Sequence, residues 1–269
     1  MQNLIIYGQV FLYFNFCKKC TKSIRIMQKK NSCFLCGKVG NLTFEHIPPQ
    51  CAFNNKSIYI QGHDHLIDEK NYLFGKKSLS NRGFGKHCLC ASCNNSTGNW
   101  YAKDFCAFTQ QGLKILEQTT DPHLSSGSYT IKPLNVIKQI LLMFVCTDST
   151  GTLNNHKGVK DYLLDKNSTV FPEKINIHIY SNACSTKRMI GYSYASDMRI
   201  GGIYKWSEIN FKPFGYFLTH DSPPPNEFMV DITDFSKKPY DYLCAVNLTI
   251  ARLKVSNLAL GHYDNVPVD

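Results

Sequence analysis

The sequence lacks an apolar run long enough to cross a bilayer. Its 269 residues contain no uninterrupted apolar stretch of the roughly 18 to 20 residues that a membrane-spanning helix needs. The apolar segment 1–16 has neither a basic start nor a small-residue cleavage site, so it does not look like an export signal. These absences predict a protein without a membrane partner that works in the cytoplasm.

Repeats of fixed period and low-complexity tracts are also missing, which argues against a repeat architecture or a disordered chain. Acidic side chains are scarce in the front part: residues 1–120 hold 15 basic and 6 acidic groups, whereas residues 121–269 hold 15 and 14. Because neutralising phosphates releases condensed counterions, this positive excess favours nucleic acid as the partner over an anionic membrane surface.

Cysteine is present, but not in the pattern of a secreted scaffold. The 12 cysteines fall below the ~8–10% density of such proteins, and several form CxxC pairs, which suits a reducing cytoplasm. Two of these pairs together supply the four thiolates of a closed structural zinc site. The predicted zinc ligands are Cys33, Cys36, Cys90 and Cys93.

Two alternatives to this zinc site stay open. Cys88 leaves it ambiguous which cysteines pair, although its spacing from Cys90 makes a poorer turn. The pair Cys17 and Cys20 could instead join the first CxxC pair. Cys17 and Cys20 belong to an N-terminal extension, 1–26. Met27 is the predicted native start, because it starts a self-contained pattern, and the alternative is a native N-terminal strand with a surface CxxC pair.

A closed zinc site cannot activate water, so any catalysis needs other residues. Glu45 and His46 follow the first cysteine pair, and Asn94 directly follows the second, so the zinc site would bring the three together. Carboxylate and amide oxygens suit Mg²⁺ or Mn²⁺, and a neutral histidine can take a proton from water. These residues predict hydrolysis of a phosphodiester bond, with a divalent ion held by Glu45 and Asn94.

The order CxxCG, Glu-His-Ile-Pro-Pro and CxxCN followed by a helix resembles the zinc-containing HNH endonucleases, within a subgroup with EHIPP and CNNxTG signatures. Their core is the ββα-metal, or His-Me, finger. The resemblance covers about residues 31–110. It implies that His46 is the general base and that Glu45 and Asn94 are ligands of the catalytic ion.

Two features depart from the family. The 43 residues between His46 and Cys90 imply an inserted loop. The middle asparagine of the family, which helps to hold the loop that orients the base, meets Gly85 here. Asn81 is a weak substitute that requires a shifted loop, and the lack of the asparagine implies reduced activity or a degenerate enzyme.

Basic residues before the second cysteine pair are candidates for DNA phosphate contacts. They are Lys76, Lys77, Arg82, Lys86 and His87. The neighbouring His63, Asp64 and His65 form a triplet that looks like a metal site, but we interpret them as polar surface residues of the inserted loop.

The sequence as a whole predicts an α+β fold: an HNH domain at 27–120 built on a zinc-stapled ββα finger, a helical connection at 121–172 and a β-rich domain at 173–269. Apolar spacing predicts helices at 99–118 and 134–146, with a linker at 125–130. The predicted function is a metal-dependent endonuclease acting on double-stranded DNA, and the resemblance to HNH proteins implies a role in restriction or phage defence. The alternatives are a non-catalytic zinc ribbon that binds nucleic acid or protein, and a β-rich domain that senses a ligand or a regulatory protein.

Overall fold

The computed structural model describes residues 4–8, 11–12, 31–182, 187–197, 202–255 and 263–265. The chain mixes helices with mostly antiparallel strands, which is compatible with the predicted α+β class. Met27, Cys17 and Cys20 lie outside the described residues, so the native start and the alternative cysteine site stay predictions. Within the described part of the chain, no helix has the length and apolar character needed to cross a membrane.

The helices are α1 (Asp64–Ile67), α2 (Ala91–Thr97), α3 (Lys103–Gln118), α4 (Pro133–Thr147) and α5 (Val159–Leu164). The strands of the front part are β1 (Leu4–Gly8), β2 (Phe11–Leu12), β3 (Leu42–His46), β4 (Ile58–Gly62), β5 (Ser78–Ser80) and β6 (Gly85–Cys90). Those that follow are β7 (Leu124–Ile131), β8 (Ile175–Ser181), β9 (Lys187–Asp197), β10 (Gly202–Phe211), β11 (Phe214–His220), β12 (Val230–Asp231), β13 (Cys244–Ala251), β14 (Leu253–Val255) and β15 (Tyr263–Asn265).

The largest sheet takes strands from both ends of the chain. Its order is β12-β8-β11-β10-β9-β1-β4-β5, with β2 beside β9. The pairs β8–β11, β11–β10 and β10–β9 are antiparallel, whereas β1 runs parallel to both β4 and β9. The strands predicted beyond residue 173 are therefore present, and front and back parts share one sheet.

Helix α4 lies at the centre of the molecule. It was predicted at 134–146, and the structure confirms it with all 15 of its residues buried. A helix that is apolar on every side is stable only when it is covered on every side. It packs against α3, β6 and β9, so it joins the front of the chain to the large sheet.

Two predicted segments differ in detail. The predicted helix at 99–118 is the end of a longer helical stretch, because α2 begins at Ala91 and a π-helical turn, Gly98–Ala102, connects it to α3. The predicted linker at 125–130 is wrong, since these residues belong to β7, which pairs antiparallel with β13. Its buried Tyr129 alternates with small polar residues, so the strand is stabilised by a partner far away in the sequence.

Strands β3 and β6 form a separate antiparallel pair, and α2 follows β6 without a loop. We call this arrangement the β3–β6–α2 unit. A bulge between Thr43 and Phe44 shifts the register, after which Glu45 pairs with Lys86 and His46 with Gly85. The unit therefore places the predicted catalytic residues of β3 beside the start of a helix.

Candidate functional site

Four cysteine sulfurs meet at one end of the β3–β6–α2 unit. They all lie within 4.8 Å of one another, and the Sγ atoms of Cys36 and Cys90 are 3.8 Å apart. A tetrahedral zinc with Zn–S bonds of about 2.3 Å separates its sulfurs by about 3.8 Å. The set therefore suits a structural metal such as zinc, and its members are the predicted Cys33, Cys36, Cys90 and Cys93.

Local structure explains why the two sulfur atoms of each CxxC pair are directed toward the same point. The first pair lies on a turn closed by a hydrogen bond of 2.9 Å from Gly37 N to Cys33 O, and Gly37 adopts φ +76°, which a glycine tolerates. The second pair spans the end of β6 and the first turn of α2. Hydrogen bonding to the Cys93 backbone lowers the pKa of the Cys90 thiol to about 7, whereas burial raises the pKa of the Cys33 and Cys93 thiols.

Cys88 does not take part in this cluster. Its side chain is buried and faces Cys146 of α4, with which it hydrogen-bonds. Cys88 is the extra residue at the bulge, because Thr43 pairs with Leu89 and Phe44 with His87, and the bulge breaks the alternation that would put Cys88 and Cys90 on one face. The structure thus favours Cys90 over Cys88.

His46 is held by its Nε2 atom. That nitrogen lies 3.1 Å from the carbonyl oxygen of Arg82 and 3.0 Å from the side-chain amide of Gln50. With its proton on Nε2, the ring donates to the Arg82 carbonyl and leaves Nδ1 as a proton acceptor, and in this tautomer Nε2 cannot also accept from the Gln50 amide. Burial lowers the pKa of His46, which favours the neutral ring that a general base requires.

The loop that carries the Arg82 carbonyl is fixed by a residue that the sequence did not reveal. Asn54 is 1% exposed, and its Nδ2 donates to the carbonyl oxygens of Pro48 and Phe84, each at 2.7 Å. Its Oδ1 accepts from Phe84 N at 2.8 Å. Asn54 therefore ties the segment after His46 to the segment after Arg82.

Gly85 has a steric reason to be a glycine. A Cβ atom at this position would lie 2.2 Å from the Glu45 carbonyl oxygen and 2.6 Å from the Phe44 ring. No side chain fits there, so the middle asparagine of the family could not stand at this position. Asn81, the weak substitute, accepts a long hydrogen bond of 3.4 Å from Ser57 and does not hold the loop as Asn54 does.

Replacing Asn54 by alanine is expected to slow any cleavage and to lower thermal stability. The substitution removes the three buried hydrogen bonds that Asn54 makes with Pro48 and Phe84, each of which contributes about 0.5 to 1.5 kcal/mol. The matched control is Asn81→Ala, which removes an exposed asparagine of the same loop. The cleavage rate and the zinc content are measured in both variants, and only Asn54→Ala is expected to cleave more slowly. An unchanged rate in Asn54→Ala would rule out the role of Asn54 in holding the loop.

Asn94 and Glu45 are brought near each other by the packing of α2 on β3. Asn94 Nδ2 donates to Thr43 Oγ1 at 2.9 Å and to the Phe44 carbonyl at 3.4 Å, so α2 is fastened to β3 one residue before Glu45. Its amide oxygen has no hydrogen-bond partner in the described part of the chain. Glu45 is half-buried, and its carboxylate also lacks a partner among the described residues. Burial raises the pKa of Glu45 to about 7.

Four of the five predicted DNA contacts are exposed. Lys76 and Lys77 lie at the surface before β5. The guanidinium of Arg82 stacks 4.0 Å above the Phe44 ring, whose edge meets His46 at 4.9 Å between ring centroids. His87 is exposed beside the same Phe44 ring, and its Nδ1 lies 3.1 Å from the Leu42 carbonyl oxygen. Arg82 and His87 thus lie on the face of β3 that carries His46.

Lys86, the fifth predicted contact, points away from this face. Its Nζ donates to the Thr147 carbonyl at 3.2 Å and to Ser149 Oγ at 3.0 Å, at the C-terminal end of α4. Burial lowers the pKa of Lys86 to about 8. A cation is favourable at this end of a helix, so Lys86 fastens α4 to β6 and its ammonium is directed away from the surface.

The His63–Asp64–His65 triplet is not a surface loop. His63 is 7% exposed, and His63 and Asp64 stand at the start of α1 with 3.7 Å between Nδ1 and a carboxylate oxygen. The interpretation as polar surface residues is therefore wrong for His63. Among the described residues, the triplet does not belong to a group that could hold a metal ion.

A disulfide was also missed. Cys51 and Cys106 are bonded, with their Cα atoms 5.6 Å apart, and neither belongs to a CxxC pair that would have marked it. The bond ties the segment just after His46 to α3. Disulfides persist mainly in oxidising compartments, so the cytoplasmic location stays a prediction.

No family model, no curated protein and no solved structure matches the chain. The likeness to HNH endonucleases therefore depends on the quoted motifs and on the local geometry described above.

Proposed function

We propose that the protein is a metal-dependent endonuclease of the HNH type that hydrolyses phosphodiester bonds in DNA. The observation that carries the proposal is which side-chain atoms of the three candidate residues have hydrogen-bond partners. His46 is oriented by a backbone carbonyl, and among the described residues neither the carboxylate of the adjacent Glu45 nor the amide oxygen of Asn94 has a hydrogen-bond partner. Oxygen ligands without partners next to a neutral histidine are the parts that metal-assisted hydrolysis needs.

Each residue has a role in this proposal. His46 Nδ1 takes the proton from the attacking water, because Nε2 is engaged by the Arg82 carbonyl. Glu45 and Asn94 would hold Mg²⁺ or Mn²⁺, and their hard oxygen atoms fit such an ion. When bound, the ion supplies charge stabilisation for the scissile phosphate and the leaving oxygen. The four-cysteine cluster would hold zinc as a purely structural element.

The surroundings of the Glu45 carboxylate support the binding of a cation to it. A half-buried carboxylate without a hydrogen bond is unfavourable in its charged form, and the raised pKa of about 7 reflects that cost. A divalent ion would compensate for the burial. A zinc ribbon that only binds nucleic acid would have no need for this carboxylate at the side of an oriented histidine.

DNA is the proposed substrate because of the charge around the site. The front part of the chain carries most of the excess positive charge, and Arg82 lies next to the His46 side chain through the Phe44 ring. Guanidinium groups bind phosphate in a bidentate way. Lys76 and Lys77 extend the positive surface before β5.

Replacing Lys76 and Lys77 together by alanine is expected to weaken DNA binding and to reduce its salt dependence. Two lost phosphate contacts lower the slope of log affinity against log salt by about 1.8. The measurement is the affinity for a DNA duplex between about 50 and 200 mM salt. It is made in the His46→Ala background, so that the duplex is not cleaved during the experiment. The control pair is Lys237→Ala with Lys238→Ala, also exposed and adjacent; an equal change in that pair would contradict a local contact.

The experiment that tests the proposal is plasmid cleavage by the purified full chain. The protein is assayed at low salt without divalent ions and after addition of Mg²⁺ or Mn²⁺, and its zinc is counted in the same preparation. Cleavage that depends on the added ion supports the endonuclease. Bound zinc without cleavage under either ion would reject it in favour of a zinc module that binds without cutting.

A further inference from the structure

A pocket away from the β3–β6–α2 unit has the composition of an anion site. It has a volume of about 300 Å³, at the small end of the range of roughly 300 to 1,000 Å³ for ligand sites. The walls come from the segment before β4, from α3, and from the ends of β9 and β10. The side chains that matter are Lys56, Lys187, Lys212, Glu117, Phe53 and Phe211.

Three ammonium groups face this one cavity. Lys56 and Lys212 are exposed and Lys187 is half-buried. Burial lowers the pKa of Lys187, and the nearby positive charge of Lys56 lowers it further. Glu117 is the one acidic residue among the lining residues that the structure describes. The positive charges outnumber it, so an anion in the cavity would relieve their repulsion.

Two aromatic rings complete the pocket. Phe211 is buried, and the Lys187 ammonium lies 5.5 Å from the centre of its ring. Phe53 is 37% exposed and has φ +67°, a left-handed backbone conformation that is rare for a bulky residue and that occurs often at ligand clamps. That conformation holds an apolar ring at the edge of a basic cavity.

We propose that this pocket binds a single nucleotide, with its phosphate among the three lysines and its base against the phenylalanine rings. Lysines recognise phosphate as compact point charges, and aromatic rings stack on any nucleobase. The nucleotide is either free or the phosphorylated end of a nucleic-acid strand, since the two share this chemistry. The proposal does not depend on the endonuclease activity.

The place of the pocket gives it a connection to the candidate catalytic residues. Asn54, which holds the loop beneath His46, also lines the cavity next to Phe53. The other walls, Lys187, Phe211 and Lys212, belong to the β-rich part of the chain. A nucleotide would therefore contact both the segment that follows β3 and the large sheet.

The test is calorimetric titration of the full chain with each of the four 5′-mononucleotides. The comparison ligands are inorganic phosphate and the matching nucleosides. A mononucleotide is expected to bind at least about tenfold more tightly than either part alone, because charge-assisted contacts and stacking both contribute. Phosphate that binds as tightly as every mononucleotide, or no saturable binding of any of them, would overturn the proposal.

Variants locate the binding in the pocket. Lys56→Ala with Lys212→Ala removes two exposed ammonium groups and is expected to weaken mononucleotide binding at least about tenfold. Phe53→Leu keeps an apolar side chain but removes the flat ring, and it should weaken mononucleotide binding while leaving phosphate binding unchanged. The control is Lys237→Ala with Lys238→Ala; an equal loss there would overturn the assignment.

A 5′-phosphorylated single-stranded oligonucleotide and its unphosphorylated counterpart separate the two sources of the nucleotide. They are titrated into the His46→Ala protein, which is expected not to cut them. Preference for the phosphorylated strand that is lost in Lys56→Ala with Lys212→Ala supports a strand end as the ligand. Binding of mononucleotides without that preference supports a free nucleotide.

Discussion

Replacing His46 by alanine is expected to reduce plasmid cleavage at least about 100-fold, the lower end of what a general base contributes. The zinc content and the thermal unfolding should stay unchanged, because the His46 ring is partly exposed and its polar contacts are with a loop carbonyl and the exposed Gln50. The proposed ligands of the divalent ion are left in place. The rate of nicking under Mg²⁺ or Mn²⁺ is the quantity to compare with the unmodified protein.

The matched control for this experiment is His123→Ala. His123 is exposed, and within the described part of the chain its hydrogen bonds are made by the backbone, whose carbonyl accepts from Arg252 N at 2.7 Å and whose N–H donates to Asp121 Oδ1 at 2.7 Å. It should cleave at the unmodified rate. If His46→Ala cut DNA as fast as His123→Ala, another group would have to serve as the base, and the proposed mechanism would be wrong.

Replacing Cys90 by alanine is expected to release zinc and to destabilise the protein strongly. The apparent free energy of structural zinc binding in small finger peptides is about 10 to 16 kcal/mol, which is comparable to the whole stability of a domain. Cys90 joins β6 to α2, so its loss affects both elements. We expect less than one zinc per chain and a Tm lower by on the order of 10 °C or more.

Cys244→Ala is the control for the zinc experiment. Cys244 is a free, half-buried cysteine on β13, outside the four-cysteine cluster. It should keep the full zinc content and nearly the full stability. A protein that loses no zinc on Cys90→Ala, or a preparation of the unmodified chain without zinc, would contradict the metal assignment.

The local patterns of the sequence predicted the parts of the fold that depend on near neighbours. The spacing within each CxxC pair indicated the cysteine cluster, because two residues between cysteines direct both sulfurs to one side of a turn. The apolar run of α4 indicated a buried helix. The strands β8 to β11 were visible as alternating or apolar segments between turn residues.

What the sequence did not reveal depends on distant partners. The strand β7 has many small polar residues and is stabilised through pairing with β13. Asn54 looks like an ordinary loop asparagine until its contacts with Pro48 and Phe84 are seen. Lys86 belongs to a basic cluster in sequence, yet the direction of its side chain is set by the end of α4. No local signal carries these contacts.

The buried position of α4 limits how the front part of this chain can be produced as a separate fragment. Here α4 covers part of β6 and α3, and Lys86 is fastened to its end. A fragment that stops at Gln118 would therefore expose to solvent the apolar surface of β6 and α3 that α4 covers, and it would be prone to aggregate. A fragment meant to fold alone has to extend through Ser149, and the surface of α4 that packs against the large sheet has to be made polar or covered.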